Sequence, residues 1–73
     1  MVYELRVGRA GTVTDVAVDE GQMVAEDDEI ATLATDDGPV SVVTEVPGVV
    51  RELYLVAGRT IAAGTVVALI DES

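Results

Sequence analysis

The chain has 73 residues, enough for one small domain spanning residues 1–73 and near the lower size for a core without disulfides or metals. It contains no cysteine and no histidine, so disulfide bonds and the common zinc sites are excluded. Its formal net charge of −10 opposes binding to nucleic acid phosphates and anionic lipids, so we expect neutral or basic protein partners.

The cationic side chains are all arginine, and lysine is absent from the chain. An acidic, lysine-free surface suits a halophilic cytosol, where molar salt screens most of the self-repulsion. A GC-rich genome that prefers arginine codons explains the same composition, and both explanations stay open. No apolar run is long enough to cross a bilayer and no signal peptide is visible, so we expect a cytoplasmic protein without membrane contacts.

The first half of the chain has the pattern of short strands separated by turns. Residues 2–7 (VYELRV) alternate with a period of two, as a half-buried strand does. Residues 13–18 predict a second strand, in which Thr14 and Asp15 interrupt the alternation and indicate a bulge. Two further apolar segments follow after turns, a short one at residues 23–24 and a strand at residues 29–33.

The second half of the chain has the same character. Strands are predicted at residues 40–46, 49–56 and 66–70, with a short apolar contact at Ile61 between the last two. No segment places apolar residues at helical spacing over two turns, and β-branched residues dominate throughout. The sequence therefore predicts an all-β protein.

Two tyrosines and two arginines are expected to have structural roles and not functional ones. Tyr3 and Tyr54 fall on strands, so we expect their rings to be buried with the hydroxyl groups at the surface. Arg51 and Arg59 are expected to pair with nearby carboxylates, and surface pairs of that kind contribute about 0–1 kcal/mol each.

An internal repeat organises the whole chain. Residues 11–33 align without a gap onto residues 48–70 at a constant offset of 37, and matched glycines lie at the start of each segment. The same offset places Tyr3 on Val40, so the repeat units run from about 2 to 33 and from about 39 to 70. Neither unit alone can bury its apolar face, and two flattened sheets that share one valine core fit the duplication best.

Between the two units lies a polar joint at residues 34–38. The candidate functional residues of the chain are Thr35, Asp36, Asp37, Gly38 and Pro39, and we call these five residues the tip. Aspartate, glycine and proline are good turn formers, so a plain turn explains each of these residues individually. Two adjacent exposed carboxylates are also a natural contact for an arginine-bearing partner protein.

With these segments laid out, the chain resembles the lipoyl and biotinyl carrier domains over nearly its whole length. The resemblance lies in the strand GTV, the turn DEGQMV, the segment IATLATDD and the segment from VVTEVPGVV to VVALI. It implies a flattened β-barrel, or barrel-sandwich hybrid, of two four-stranded sheets with quasi-twofold symmetry. It also implies that the cofactor-bearing lysine of the family sits at the end of the central hairpin.

The tip departs from the family pattern at the attachment position. Lipoyl-type members resemble Glu-Thr-Asp-Lys-Ala there, so Thr35 and Asp36 match while Asp37 occupies the lysine position and Gly38 the alanine position. Biotinyl members place methionine on both sides of the lysine, so this chain is closer to the lipoyl type. A carboxylate cannot replace the ε-amine in the amide bond, and we therefore expect no lipoyl or biotinyl cofactor at this position.

The resemblance leads to two hypotheses about function. In the first, the domain is not modified and acts through protein contact, with the tip and its acidic surface docking on a dehydrogenase or carboxylase component; we expect it to be a monomer. In the second, the domain is an architectural module excised from a larger protein.

Catalysis and metal binding are the weaker alternatives. The carboxylates cluster on turns at residues 19–20, 27–29 and 36–37, where paired acids are usually solvated, and a thin β shell offers little room for an active-site pocket. No spacing among them resembles an EF-hand loop. We therefore expect neither an enzyme nor a specific metal site.

Overall fold

The computed structural model describes all 73 residues and contains eight β-strands and no helix. The strands are β1 (Val2–Arg6), β2 (Gly11–Val16), β3 (Met23–Val24), β4 (Glu29–Thr35), β5 (Gly38–Val43), β6 (Gly48–Leu53), β7 (Thr60–Ile61) and β8 (Val66–Glu72). This confirms the predicted all-β class. It follows that no helix of the structure could cross a membrane.

The strands form two separate four-stranded antiparallel sheets and are not closed into a single ladder. One sheet has the order β1-β8-β6-β3 and the other has the order β5-β4-β2-β7. The offset of 37 residues exchanges β1 with β5, β2 with β6, β3 with β7 and β4 with β8, and this exchange converts one sheet order into the other. The quasi-twofold barrel-sandwich architecture is confirmed, and each sheet contains strands from both halves of the chain.

The hydrogen bonds outside the ladders follow the same offset. The amide of Gly21 donates to the carbonyl of Val50 at 2.7 Å, and the amide of Gly58 donates to the carbonyl of Val13 at 2.7 Å. Each of these bonds joins the first half of the chain to the second. Because each half supplies backbone partners to the other, the two halves are interlocked rather than stacked.

One hydrophobic core of 14 buried residues lies between the sheets. Seven of them are valine, which fits the pleated inner surfaces of short strands, and the others are leucine, isoleucine and alanine. Thr44 is the buried polar residue beside this core, and its hydroxyl donates to the carbonyl of Val46 at 2.8 Å. The molecule measures 34 × 18 × 18 Å along its principal axes, so the core is thin and every strand has one face near solvent.

The predicted bulge in β2 is present, whereas the prediction for one tyrosine is wrong. The register of β2 with β4 shifts between Val13 and Asp15, which confirms the predicted bulge. The register of β6 with β8 shifts between Val50 and Glu52, at the equivalent place. This second bulge reverses the faces that follow it, so Tyr54 lies beyond β6 with 51% of its surface exposed and the predicted burial of its ring is wrong.

The arginine pairing prediction is also wrong. The salt bridges that involve arginine are formed by Arg6 with Glu4 and by Arg9 with Asp37, whereas Arg51 and Arg59 form none. Arg6 also donates to the carbonyl of Gly64 at 2.9 Å. The two arginines with carboxylate partners therefore lie in the first unit, at the end of β1 and in the connection to β2.

Candidate functional site

The tip is the turn of the β4–β5 hairpin, and it is tighter than the sequence suggested. Thr35 pairs with Gly38 and Ala34 pairs with Pro39, so both strands continue into the predicted joint and only Asp36 and Asp37 remain between them. Pro39 is accommodated because β5 is an edge strand, where a missing N–H need not break the ladder. The structure thus places all five tip residues together at one end of this hairpin.

Hydrogen bonds from Thr35 close the turn. Its hydroxyl donates to the carbonyl of Gly38 at 2.7 Å and accepts from the amide of Asp37 at 3.2 Å. Gly38 has a positive φ of 106°. The threonine therefore holds the turn in one shape, while the carboxylates of Asp36 and Asp37 stay at the exposed surface.

The Asp37 carboxylate forms an ion pair with the guanidinium of Arg9. Arg9 lies in the connection between β1 and β2, which thereby contacts the tip. The side chains of Arg9 and Asp37 are 48% and 73% exposed, so solvent screens the pair and its energy is about 0–1 kcal/mol. The sequence did not indicate Arg9 as part of the site, because residues 8–11 only interrupt the pattern between two predicted strands.

Beside the tip the structure has an open groove of about 220 Å³ between the β1–β2 connection and β5. We call the groove the space lined by Arg6, Val7, Gly8, Arg9, Leu33, Val40, Ser41, Val42 and Val43. Its lining is mainly apolar and includes two arginines. Sequence analysis did not identify it, because residues far apart in the chain line it.

Two of the turn carboxylates accept hydrogen bonds from the backbone. Asp28 accepts from the amide of Ala25 at 2.8 Å, and Glu20 accepts from the amide of Leu53 at 3.0 Å. No three acidic side chains come together in an arrangement that could hold a metal ion. One carboxylate from each of the clusters at residues 19–20 and 27–29 therefore accepts a backbone hydrogen bond, Asp28 within its own turn and Glu20 from strand β6.

The pKa values of the two tyrosines are raised. Burial and then the hydrogen bond to Glu45 raise the pKa of Tyr3 above its ordinary value of 10.0. The hydrogen bond to Glu52 is the main cause that raises the pKa of the exposed Tyr54. In both cases the neighbouring carboxylate favours the neutral phenol, because a tyrosinate beside it would be a second negative charge.

The family model described as Biotin_lipoyl, biotin-requiring enzyme, matches residues 3–70, which is most of the chain. The chain belongs to this family. Domains of the Biotin_lipoyl family are carrier domains and do not themselves catalyse a reaction. No curated protein sequence matches the chain.

Solved structures share the fold of this Biotin_lipoyl domain. The urea carboxylase of Kluyveromyces lactis matches with a TM-score of 0.90 and 20% identity, over 97% of this chain and 6% of that protein. A single-chain, multi-domain long-chain acyl-CoA carboxylase matches with a TM-score of 0.90 and 18% identity, over 99% and 7% of the respective chains. The chain thus spans less than a tenth of the length of these two enzymes.

A lipoyl domain is a similar structure of nearly the same size. The lipoyl domain of the 2-oxoglutarate dehydrogenase complex from Azotobacter vinelandii matches with a TM-score of 0.71 and 28% identity, over 88% of this chain and 82% of that one. The domain is therefore related in structure to a dehydrogenase lipoyl domain as well as to carboxylase domains.

The residues at the tip do not fit the covalent cofactors that the family name implies. Biotin and lipoate join a carrier domain through an amide, which requires an amine on the protein. The chain has no lysine, and the tip side chains carry hydroxyl and carboxylate groups only. Asp37, which the resemblance places at the attachment position, is paired with Arg9.

Proposed function

We propose that this Biotin_lipoyl domain is not acylated and acts as a protein–protein interaction module. Its partner is a component of a dehydrogenase or carboxylase assembly, and its tip makes the contact. The observation that supports the proposal is the tip itself, an exposed pair of carboxylates at the position where the resemblance places the attachment lysine. The domain has no catalytic role of its own in this proposal.

The net charge of the chain determines which kind of partner surface it attracts. With a net charge of −10 and two adjacent carboxylates at the tip, the domain attracts a surface rich in arginine or lysine and repels nucleic acid and anionic membranes. Such complementarity acts mainly through the association rate and specificity, so binding weakens as salt increases. We propose that the free domain is monomeric and cytoplasmic.

Intact mass spectrometry of the native protein tests the absence of modification. We expect the mass of the unmodified polypeptide. An added lipoyl or biotinyl group would overturn the proposal, wherever on the chain it is attached.

A binding assay with purified assembly components tests the role of the tip. The variant Asp36→Ala/Asp37→Ala should bind the component at least about tenfold more weakly, equivalent to about 1.4 kcal/mol. The variant Asp15→Ala/Glu26→Ala removes two negative charges at exposed positions without hydrogen-bond partners and serves as the control. Equal loss of binding in both variants would mean that overall charge, and not the tip, makes the contact.

A structural module within a larger protein is the second candidate. It is favoured by the coverage of the two carboxylases, in which a domain of this fold is a small part of a long chain. An immunoblot of the native polypeptide separates the candidates, because a module of this kind migrates at a mass far above 7.6 kDa.

A further inference from the structure

The groove has a quasi-twofold counterpart elsewhere in the molecule. It lies between residues 6–9 and residues 40–43 of β5. The offset of 37 carries these segments onto residues 43–46 and residues 3–6 of β1. The same backbone arrangement therefore occurs twice, once beside the tip and once between β1 and the connection that follows β5.

Tyr3 occupies the counterpart of the groove. It pairs with Ile70 of β8 and packs against the hydrophobic core. Its hydroxyl donates to a carboxylate oxygen of Glu45 at 3.2 Å. The ring thus lies across the space between β1 and residue 45 and is held there by apolar contact at one end and a hydrogen bond at the other.

The groove is open because two side chains are shorter than their counterparts. Val40 occupies the position of Tyr3, and its pairing with Leu33 matches the pairing of Tyr3 with Ile70. Gly8 occupies the position of Glu45. The groove therefore lacks both the aromatic ring and the carboxylate that fill the same space in the other half of the molecule.

The lining of the groove favours an apolar ring with a polar edge. Leu33, Val40 and Val42 provide methyl groups, and the side chains of Arg6 and Arg9 belong to the same lining. Burial of an aromatic side chain against such a surface is favourable, and planar guanidinium groups stack well on aromatic rings. Both arginines already have carboxylate partners, so the groove carries no excess positive charge.

We propose that the groove is the pocket for an aromatic side chain of the partner protein, presented on a basic segment. The inference rests on the proposed function and specifies the chemistry of the partner. The ring takes the place that Tyr3 takes in the counterpart. Basic residues beside it reach Asp36 and Asp37, because Arg9 borders the groove and contacts Asp37.

Titration with p-cresol, the side-chain analogue of tyrosine, tests the pocket without any partner. Methyl resonances of Leu33, Val40 and Val42 should shift in a saturable manner. The variant Gly8→Glu/Val40→Tyr rebuilds the arrangement of Glu45 and Tyr3 in the groove, and it should reduce p-cresol affinity at least tenfold. A Cβ at Gly8 meets no atom within 4 Å, so the glutamate has room. Unchanged affinity in this variant, or no binding to the wild type, would overturn the proposal.

A further variant opens the counterpart by removing its aromatic ring and leaves Glu45 in place. Tyr3→Val should create a second p-cresol site, seen as new saturable shifts of Leu5 and Ile70 methyl groups in protein that circular dichroism shows to be folded. A folded Tyr3→Val protein with a single site would contradict the equivalence of the two environments. If Tyr3→Val does not fold, the double variant at Gly8 and Val40 still decides the question.

Short peptides test the chemistry of the occupant. A peptide with tyrosine between arginines should bind at least about tenfold more tightly than one with alanine in its place, a difference of about 1.4 kcal/mol. It should also bind more tightly than a peptide with tyrosine between glutamates. Equal binding of the tyrosine and alanine peptides would overturn the aromatic pocket, and equal binding of the basic and acidic peptides would overturn the basic segment.

The proposal about the pocket and the proposal about the tip can be tested independently. If Gly8→Glu/Val40→Tyr abolishes binding of the tyrosine peptide and Asp36→Ala/Asp37→Ala leaves binding of the assembly component unchanged, the pocket is supported and the proposed role of the tip is wrong. If the tip variant weakens component binding and the groove variant changes neither component nor peptide binding, the proposed function stands and the pocket is wrong.

Discussion

Gly48 is a residue whose lack of a side chain is required by the packing of two strands. A Cβ built at this position meets the backbone carbonyl oxygen of Asp71, on the neighbouring strand β8. The equivalent Gly11 approaches the carbonyl oxygen of Ala34, at 2.7 Å from its built Cβ. Backbone cannot move aside as a flexible side chain does, so any substitution must displace the β6–β8 ladder.

We predict that Gly48→Ala destabilises the domain by about 1–3 kcal/mol, as overpacking commonly does. Urea denaturation of the variant and the wild type measures this difference. Gly8→Ala is the matched control, because its Cβ meets nothing within 4 Å, and it should change the free energy of unfolding by less than about 0.5 kcal/mol. Similar losses in the two variants would mean that the close approach at Gly48 is not the cause.

Tyr3 makes the stability of the domain sensitive to alkaline pH. Burial and the hydrogen bond to Glu45 raise its pKa above 10.0 in the folded state, so the fold favours the neutral phenol. The stability that this preference contributes is complete below pH 10 and is lost as the pH rises through the folded-state pKa. We predict that Tyr54→Phe, which isolates Tyr3, loses stability in this range.

The test is to measure the free energy of unfolding of Tyr54→Phe at several pH values on both sides of pH 10. Adding Tyr3→Phe removes the ionising hydroxyl group and should reduce the loss of stability at alkaline pH. If the double variant loses as much stability as Tyr54→Phe, the loss comes from other groups.

At the scale of elements, the sequence predicted most strands but misplaced their ends. The alternation within segments and the duplication sufficed for most strands and for their division into two sheets, but the order of the strands came from the structure. The sequence placed a joint at residues 34–38 because glycine and proline usually interrupt strands. In the structure Pro39 lies on an edge strand, so β4 and β5 continue through all but two of these residues.

The errors around Tyr54 and Val46 come from contacts that alternation does not reveal. A bulge between Val50 and Glu52 reverses the faces of the following residues and turns Tyr54 outward. Thr44 hydrogen-bonds both the amide and the carbonyl of Val46, which bends the chain and ends β5 at Val43.

The tip residues could be predicted from the resemblance, but Arg9 and the groove could not be assigned by inspection of single segments. The offset of 37 nevertheless contained a signal for the groove, since it aligns Tyr3 with Val40. A large residue opposite a small one in the two copies of a repeat marks a place where only one copy is filled. The shape of that place required coordinates.

The connection between β5 and β6 depends on Thr44, which is fully buried. Its hydroxyl donates to the carbonyl of Val46 at 2.8 Å and accepts from the amide of Val46 at 3.2 Å. We predict that Thr44→Val, which keeps the shape and removes the hydroxyl, costs about 1–3 kcal/mol because both backbone groups lose a partner. Urea denaturation gives the cost, and faster amide hydrogen exchange at Val46 locates it.

Thr14→Val is the control for the same chemical change at an exposed position. Thr14 donates to the carbonyl of Thr32 at 3.3 Å on the surface, where water can replace it, so this variant should lie within about 0.5 kcal/mol of the wild type. A neutral Thr44→Val would show that the bend is held by the sheets and not by the hydroxyl.

For the whole molecule, the distribution of charge is the dominant feature beyond the core. The net charge of −10 is spread over a particle 34 Å long and 18 Å wide, and the ion pairs of the structure are few and exposed. Self-repulsion therefore destabilises the folded state at low ionic strength. At 1 M salt the Debye length is about 3 Å, so interactions between most of these carboxylates are screened.

We predict that the melting temperature rises between low and molar sodium chloride. Relief of about 1 kcal/mol corresponds to about 4–8 °C for a domain of this size. The variant Asp15→Asn/Asp19→Asn/Glu26→Gln removes three exposed negative charges and should melt higher at low salt and respond less to added salt. A wild type whose melting temperature stays constant would remove the halophilic interpretation. An equal rise in the wild type and the variant would assign the effect to general salt strengthening of apolar burial rather than to charge screening.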